Sequence, residues 1–202
     1  MSDHEIVFKN IYENKIWGDN NETTYDGSSG GGSSVEFNIN TYIPFLRDFI
    51  KENNINTIID LGCGDFRCGK HIYDDLNINY YGYDVYDKII KNNKKNNKNY
   101  NFVNLDFYND KEFILSGDLC ILKDVIQHWA LNDIYVFLDY LTSSKKFKYI
   151  LICNCCHQNS DNTDIKTGDF RGLSCNFYPL KKYNPQLLYK YKSKEVSIIK
   201  NF

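Results

Sequence analysis

Several features are missing from this chain of 202 residues, and each absence removes a class of protein. There is no apolar run of about 18 residues and no charged-then-apolar leader, so a soluble, cytoplasmic protein with no membrane contact is expected. The formal net charge is only −2, so no general electrostatic pull toward nucleic acid or an anionic bilayer exists. The seven cysteines are odd in number and irregular in spacing. Cys153, Cys155 and Cys156 stand together, but no second cluster lies at metal-ligand spacing. Reduced thiols without zinc or a disulfide framework are therefore expected. A P-loop Gly-Lys-Ser/Thr is lacking, and so is the third glycine of a dinucleotide fingerprint, whose position is Arg67. Asn, Lys, Ile and Tyr are used heavily, as in the products of an AT-rich genome.

The strongest signal present is Ile58-Ile-Asp-Leu-Gly-Cys-Gly64, with Asp84 twenty residues after Gly64 at the end of a second apolar run. A buried strand entering a glycine turn, then an acidic residue ending the next strand, is how a Rossmann-type sheet holds an adenosine-containing ligand. Gly62 and Gly64 allow close backbone approach. Asp84 can accept hydrogen bonds from both ribose hydroxyls. Asp60, just before the glycines, would repel a pyrophosphate and suits a cation. The motif therefore points to S-adenosylmethionine (SAM), whose amino group and sulfonium are positive; its product would be S-adenosylhomocysteine (SAH).

At this length the chain reads as one domain, residues 1–202, with residues 1–40 as an N-terminal lid or pocket segment. Phe8, Ile11, Tyr12 and Trp17 recur at roughly helical spacing, and 41–53 carries one apolar helical stripe. Strands are expected at Thr57–Leu61, Tyr80–Tyr83, Asn101–Leu105, Asp118–Leu122 and Tyr149–Cys153. Helices are expected from near Arg67 to Leu76, over the Lys/Asn-rich 87–99 stretch, and from Leu131 to Thr142 with Asn132 as N-cap. This alternation predicts an α/β, Rossmann-like doubly wound, mostly parallel sheet. Gln186–Tyr191 and Val196–Phe202, joined by Lys192-Ser-Lys-Glu195, predict a C-terminal antiparallel hairpin.

In open α/β sheets ligands lie at the carboxyl ends of the strands, where the remaining candidates fall. Asp106 can accept from an adenine amine while Phe107 packs on the ring; alternatively Asp106 is a turn or N-cap residue. Lys123 follows strand four beside Asp124 and His128 and is a further candidate for binding the cofactor. Four apart on a helical turn, Asp124 and His128 would share a face and form a general-base pair; a histidine that merely bonds the fold is the other reading. A divalent ion on Asp124 and Asp169 is a further alternative to the base, although no metal site is assigned. The polar segment Asn162–Arg171 follows strand five. Its Asn162, Asp169 and Arg171 could fix acceptor hydroxyls or a phosphate, or simply form a solvated loop. The Lys88–Lys98 run reads as an exposed helix face more than a nucleic-acid contact, and Trp129 and Trp17 as core residues, with lining a pocket the other reading.

Four marks in order then give a resemblance: Ile11-Tyr-Glu-Asn-Lys-Ile-Trp-Gly18, Ser29-Gly-Gly-Gly-Ser33, Asp60-Leu-Gly-Cys-Gly-Asp-Phe66, and Asp124 to His128 followed by Asn162 to Arg171. Over about residues 8–180 the chain resembles small class I SAM-dependent methyltransferases. That implies a seven-stranded sheet, Tyr12 and Trp17 near the cofactor, and Ser29 and Ser33 in a pocket loop where composition alone suggests a linker. The group usually has an aromatic where this chain has Cys68. The resemblance implies O-methylation of a small hydroxylated acceptor, a sugar or nucleotide-sugar in glycan biosynthesis. With the AT-rich composition, it is similar to sugar-methylating enzymes of large DNA viruses. Two alternatives remain open: methylation of RNA (cap or tRNA), and a non-catalytic SAM-binding scaffold. A homodimer is a further expectation.

Overall fold

Ile58, Ile59 and Leu61 are fully buried in β1 (Thr57–Leu61), a strand with no solvent face. Two-sided burial is characteristic of parallel sheets, whose crossover helices cover both faces. A computed structural model describes residues 2–19 and 28–201; Asp26 and Gly27 of the Gly/Ser stretch lie outside the described residues. The chain divides into two compact units, Met1–Ile114 and Leu115–Phe202.

In the first unit β1 pairs in parallel with β2 (Asn79–Asp84), and β2 with β3 (Asn101–Asn104). α1 (Asp3–Glu13) starts at Ser2, whose hydroxyl accepts from the Glu5 N–H at 3.1 Å. A short α2 (Val35–Asn38) precedes α3 (Tyr42–Glu52), which buries Tyr42, Ile43, Leu46 and Ile50 as the stripe requires. α4 (Gly69–Tyr73) is much shorter than the expected helix from Arg67 to Leu76. Phe66 is left-handed at φ 55°, which delays the helix, and its ring fills the space over Gly69, where a Cβ would lie 2.2 Å away. That ring joins Tyr73, Tyr80, Tyr100 and Phe102 in an aromatic cluster. α5 (Asp87–Asn96) packs on β2 and β3 through Ile89 and Ile90, leaving most of its lysines outward as the charge pattern predicts.

In the second unit β4 (Gly117–Lys123) runs parallel to β5 (Phe147–Cys155). β7 (Lys194–Lys200) is antiparallel to both β5 and β6 (Gln186–Tyr191). The hairpin turn is only Lys192-Ser193, so Lys194 and Glu195, expected in the turn, belong to β7. α6 (Leu131–Ser143) buries Ile134, Phe137, Leu138 and Leu141. Trp129 is buried against Phe137, centroids 5.1 Å apart, as expected of a core residue. Along the sheet the order is β3-β2-β1-β4-β5-β7-β6: seven strands, mostly parallel, with the antiparallel C-terminal hairpin. Among the described residues no helix is long and apolar enough to cross a membrane.

Candidate functional site

The first unit brings the glycine turn and Asp84 together. As β1 ends, the Gly62 and Cys63 N–H groups both donate to the Tyr83 carbonyl, at 2.8 and 2.9 Å. Gly62 and Gly64 have φ of 83° and 53°, in the left-handed region that favours glycine. The Gly64 N–H donates to Asp84 Oδ2 at 3.0 Å, and the Tyr86 N–H donates to Oδ1, also at 3.0 Å. Asn93 Nδ2, from α5, donates to the Gly64 carbonyl at 2.7 Å. Burial raises the Asp84 pKa to about 6 against the pull of these N–H groups. Each Asp84 oxygen accepts one backbone N–H and has a second lone pair. Asp60 Oδ2 accepts from the Tyr80 hydroxyl at 2.7 Å.

The Ser28–Ser33 segment is hydrogen-bonded to this turn and is not a free linker. The Asp65 N–H donates to Ser29 Oγ at 3.0 Å, and the Ser29 N–H donates back to Asp65 Oδ2 at 3.2 Å. A Cβ on Gly64 would come within 2.5 Å of Ser29 Oγ, so glycine is required for the fit as well as for the turn. Tyr12 shares a 2.9 Å hydrogen bond with Ser29 Oγ, stacks on Tyr86 at 4.9 Å, and meets the edge of Trp17 at 5.5 Å. Ser33 contributes its carbonyl, which takes the Cys68 thiol at 3.3 Å. The small residue at 68 thus fastens the serine loop. Asp65 was not singled out by sequence reasoning; its position after the glycines was the available signal.

Asp106 is engaged locally. Its carboxylate accepts from the Tyr108 and Asn109 N–H groups, the Asn109 side chain and the Ser2 hydroxyl, an Asx-turn arrangement. Burial pushes its pKa up, but hydrogen bonds from Ser2 and Asn109 outweigh that and leave it below the usual carboxylate range. Phe107 beside it is buried.

The second unit gathers the other candidates. β4 ends at Lys123, and Asp124 is left-handed at φ 60°, so it does not sit on a helical turn with His128. Its carboxylate is ion-paired with Lys123 at 2.7 Å and with Lys194 from β7. Burial alone would raise the Asp124 pKa, and the two ammonium groups together hold it low. Lys194 is only 3% exposed. Sequence reasoning missed it because a charged residue near a hairpin reads as turn.

His128 closes a 3-10 turn over Ile126–His128. Its Nδ1 donates to the backbone carbonyl of Asp169 at 2.9 Å, so a carbonyl and not a carboxylate orients the ring. Burial lowers its pKa and favours the neutral ring. Nε2 then carries the lone pair, with Gln127 Nε2 3.3 Å away as donor. The Asn162–Arg171 segment is wrapped around this turn and is not a loose solvated loop. Gly168 N–H donates to the His128 carbonyl at 2.7 Å and Arg171 N–H to the Gln127 carbonyl at 3.2 Å. Asp164 accepts the Leu131 N–H at 2.7 Å and Thr167 accepts the Ala130 N–H at 2.9 Å, capping α6 from outside. Asn132 is therefore not the cap; Ala130 occupies that position and has no capping side chain. The exposed Asn162 side chain accepts from Tyr135 at 2.6 Å. Asp169 is exposed, whereas Arg171 is 5% exposed. Among the described residues no group of three His, Cys, Asp or Glu side chains could hold a metal ion. Each Asp124 oxygen already carries one lysine ammonium.

The strand order and C-terminal hairpin are those of the class I SAM-dependent methyltransferase fold, shared by the solved structures that superimpose on the chain. A scan against protein-family models finds no match, and neither does a search of curated proteins. The solved structures include magnesium protoporphyrin IX methyltransferase from Synechocystis PCC 6803 with bound SAM: TM-score 0.63, 11% identity, covering 98% of this chain and 97% of that one. The methyltransferase domain of a bacterial Hen1 protein gives TM-score 0.62 and 15% identity, covering 79% and 96%. The N-methyltransferase NodS from Bradyrhizobium japonicum WM9, in complex with SAH, gives 0.61 and 11%, covering 84% and 89%. At such identities the likeness is one of fold.

Proposed function

We propose that this chain is a cytoplasmic SAM-dependent O-methyltransferase, both units serving one catalytic domain, whose acceptor is a small hydroxylated molecule such as a sugar or nucleotide-sugar. The observation that carries this reading is Asp84, held at the end of β2 by the Gly64 and Tyr86 N–H groups with one lone pair per oxygen left for ribose hydroxyls. Neighbours of the same fold were solved with SAM or SAH bound, which supports the same ligand here.

The residues fit an adenosyl group. Gly62 and Gly64 allow close backbone approach, Asp84 takes the ribose, and Asp60 faces the cationic methionine end. Tyr12 and Trp17 line the approach, with Ser29 and Ser33 holding the loop over it. Asp106 serves this half through its turn, positioning Phe107 for the adenine. SAM, when bound, supplies an electrophilic methyl group.

His128 is the base in this reading. Its neutral ring offers Nε2 to the acceptor hydroxyl, displacing Gln127, while the Asp169 carbonyl holds Nδ1–H. Base assistance of this kind contributes roughly 10²–10⁴-fold. Alignment of acceptor and methyl supplies more, since well-oriented pairs reach effective molarities of about 10⁵ M or above. Asp124, held charged by two lysines, is too weak a base; with Lys123 and Lys194 it sets the local field. Asn162 and Asp169 shape the acceptor loop that carries Arg171.

Titration calorimetry with SAH tests the central point. Wild type should release heat and Asp84→Ala should bind far more weakly; no heat from folded wild type would end the proposal. Labelled SAM with pools of sugars, nucleotide-sugars and RNA then identifies the acceptor.

A further inference from the structure

Arg171 presents a physical anomaly. Its residue surface is only 5% exposed, yet Nε and both terminal nitrogens have no hydrogen-bond partner. A buried guanidinium without an acceptor is among the costlier arrangements in a protein interior, because the lost hydration is not replaced. Asp164 attracts it electrostatically, but no oxygen of that exposed carboxylate is hydrogen-bonded to the guanidinium; its Oδ1 instead accepts the Leu131 and Ile165 N–H groups.

The position is built and not accidental. The Arg171 N–H donates to the Gln127 carbonyl, and the Leu173 N–H donates to the Cys155 carbonyl at 2.7 Å. These bonds anchor the backbone on both sides of Gly172. A second orphan lies on the adjoining strand: Asn154, 1% exposed, has neither side-chain oxygen nor nitrogen partnered. The same unit holds Lys123 and Lys194 against Asp124, two ammonium groups on one carboxylate. A planar fork of N–H donors with nothing to bind matches two oxygens of a carboxylate or phosphate.

We infer that Arg171 is the receptor for an anionic group on the acceptor, a carboxylate or a phosphate. The inference rests on the methyltransferase reading and narrows its substrate class to charged sugars, uronate-like or phosphorylated, over neutral ones.

The chain has three arginines, so their side-chain Nε–H signals can be resolved by NMR on 15N-arginine-labelled full-length protein. Arg47 is paired with Asp75 and Arg67 with Asp65, which makes them internal controls. Glucuronate, glucose 1-phosphate, inorganic phosphate and glucose are titrated separately. The Arg171 signal should shift to saturation with glucuronate or with the two phosphates, and not with glucose. Which anion saturates first decides between carboxylate and phosphate. Arg171→Lys keeps the charge but loses the fork, and should weaken that binding roughly 10- to 100-fold. An Arg171 signal unmoved by every anion, or drifting with the two controls, overturns the proposal even if no variant folds. SAH calorimetry on the same sample separates the two ideas. Heat with SAH but a silent Arg171 removes the anion receptor alone; a saturable Arg171 shift without SAH heat removes the methyltransferase reading and leaves an anion site.

Discussion

Asp84 is pulled in two directions. Burial raises its pKa from 3.8 to about 6, while the Tyr86 and Gly64 N–H groups favour the charged form. Between those values the folded protein holds a proton that the unfolded chain has released. The resulting stability is present below about pH 4 and is lost as pH rises through about 6, a difference of roughly 3 kcal/mol. Asp84→Asn stays neutral and should lack this loss, gaining roughly that amount over wild type between about pH 4 and pH 8. Denaturant melts at several pH values check it; parallel stability curves would contradict the burial argument. His128 gives a kinetic counterpart. His128→Ala should lower kcat roughly 10²–10⁴-fold and leave SAH affinity unchanged. Because burial lowers its pKa, wild-type kcat should hold until the pH drops below the ordinary imidazole value of about 6.5. A profile that breaks above that value would assign the proton to another group.

Helix α6 shows how a local rule can be overruled by a distant segment. Asn132 has the residue type of a cap, but Asp164 and Thr167 satisfy the first N–H groups. Asp164→Ala should cost roughly 0.5–2 kcal/mol in a denaturant melt, whereas Asn132→Ala should stay within about 0.5 kcal/mol. The reverse order would restore the local reading. β1 was legible to its exact ends, because a short apolar run bounded by a turn signal has few other uses. The glycine turn with Asp84 and the presence of the C-terminal hairpin were legible too, because their signals are local, although β7 starts two residues before the expected strand. The Asp124–His128 pairing was not, because it assumed a helical turn where Asp124 is left-handed. Lys194 and Asp164 were missed for a related reason. Their partners lie 70 and 33 residues away, and no periodicity reports such contacts.

At the scale of the whole molecule, some of the cysteines are held unreactive by their surroundings. All seven are free. Burial pushes the Cys63 thiol well above its ordinary value, and raises Cys153 and Cys175 to about 11. The thiolate is the reactive form, so these three should resist alkylation at neutral pH in the native protein. Mass spectrometry after iodoacetamide treatment should find them unmodified, and all seven modified once the chain is unfolded in denaturant. Rapid native labelling of Cys63 would mean that the glycine turn opens readily.

The clasp between Ser29 and the glycine turn has an optical consequence. Trp17 touches Tyr12, whose hydroxyl is bound to Ser29, whose oxygen lies where a Gly64 methyl would sit. The other tryptophan, Trp129, is sealed in the core. The emission of one indole should therefore register what happens at the turn, giving the chain a built-in fluorescent gauge of occupancy that needs no added dye.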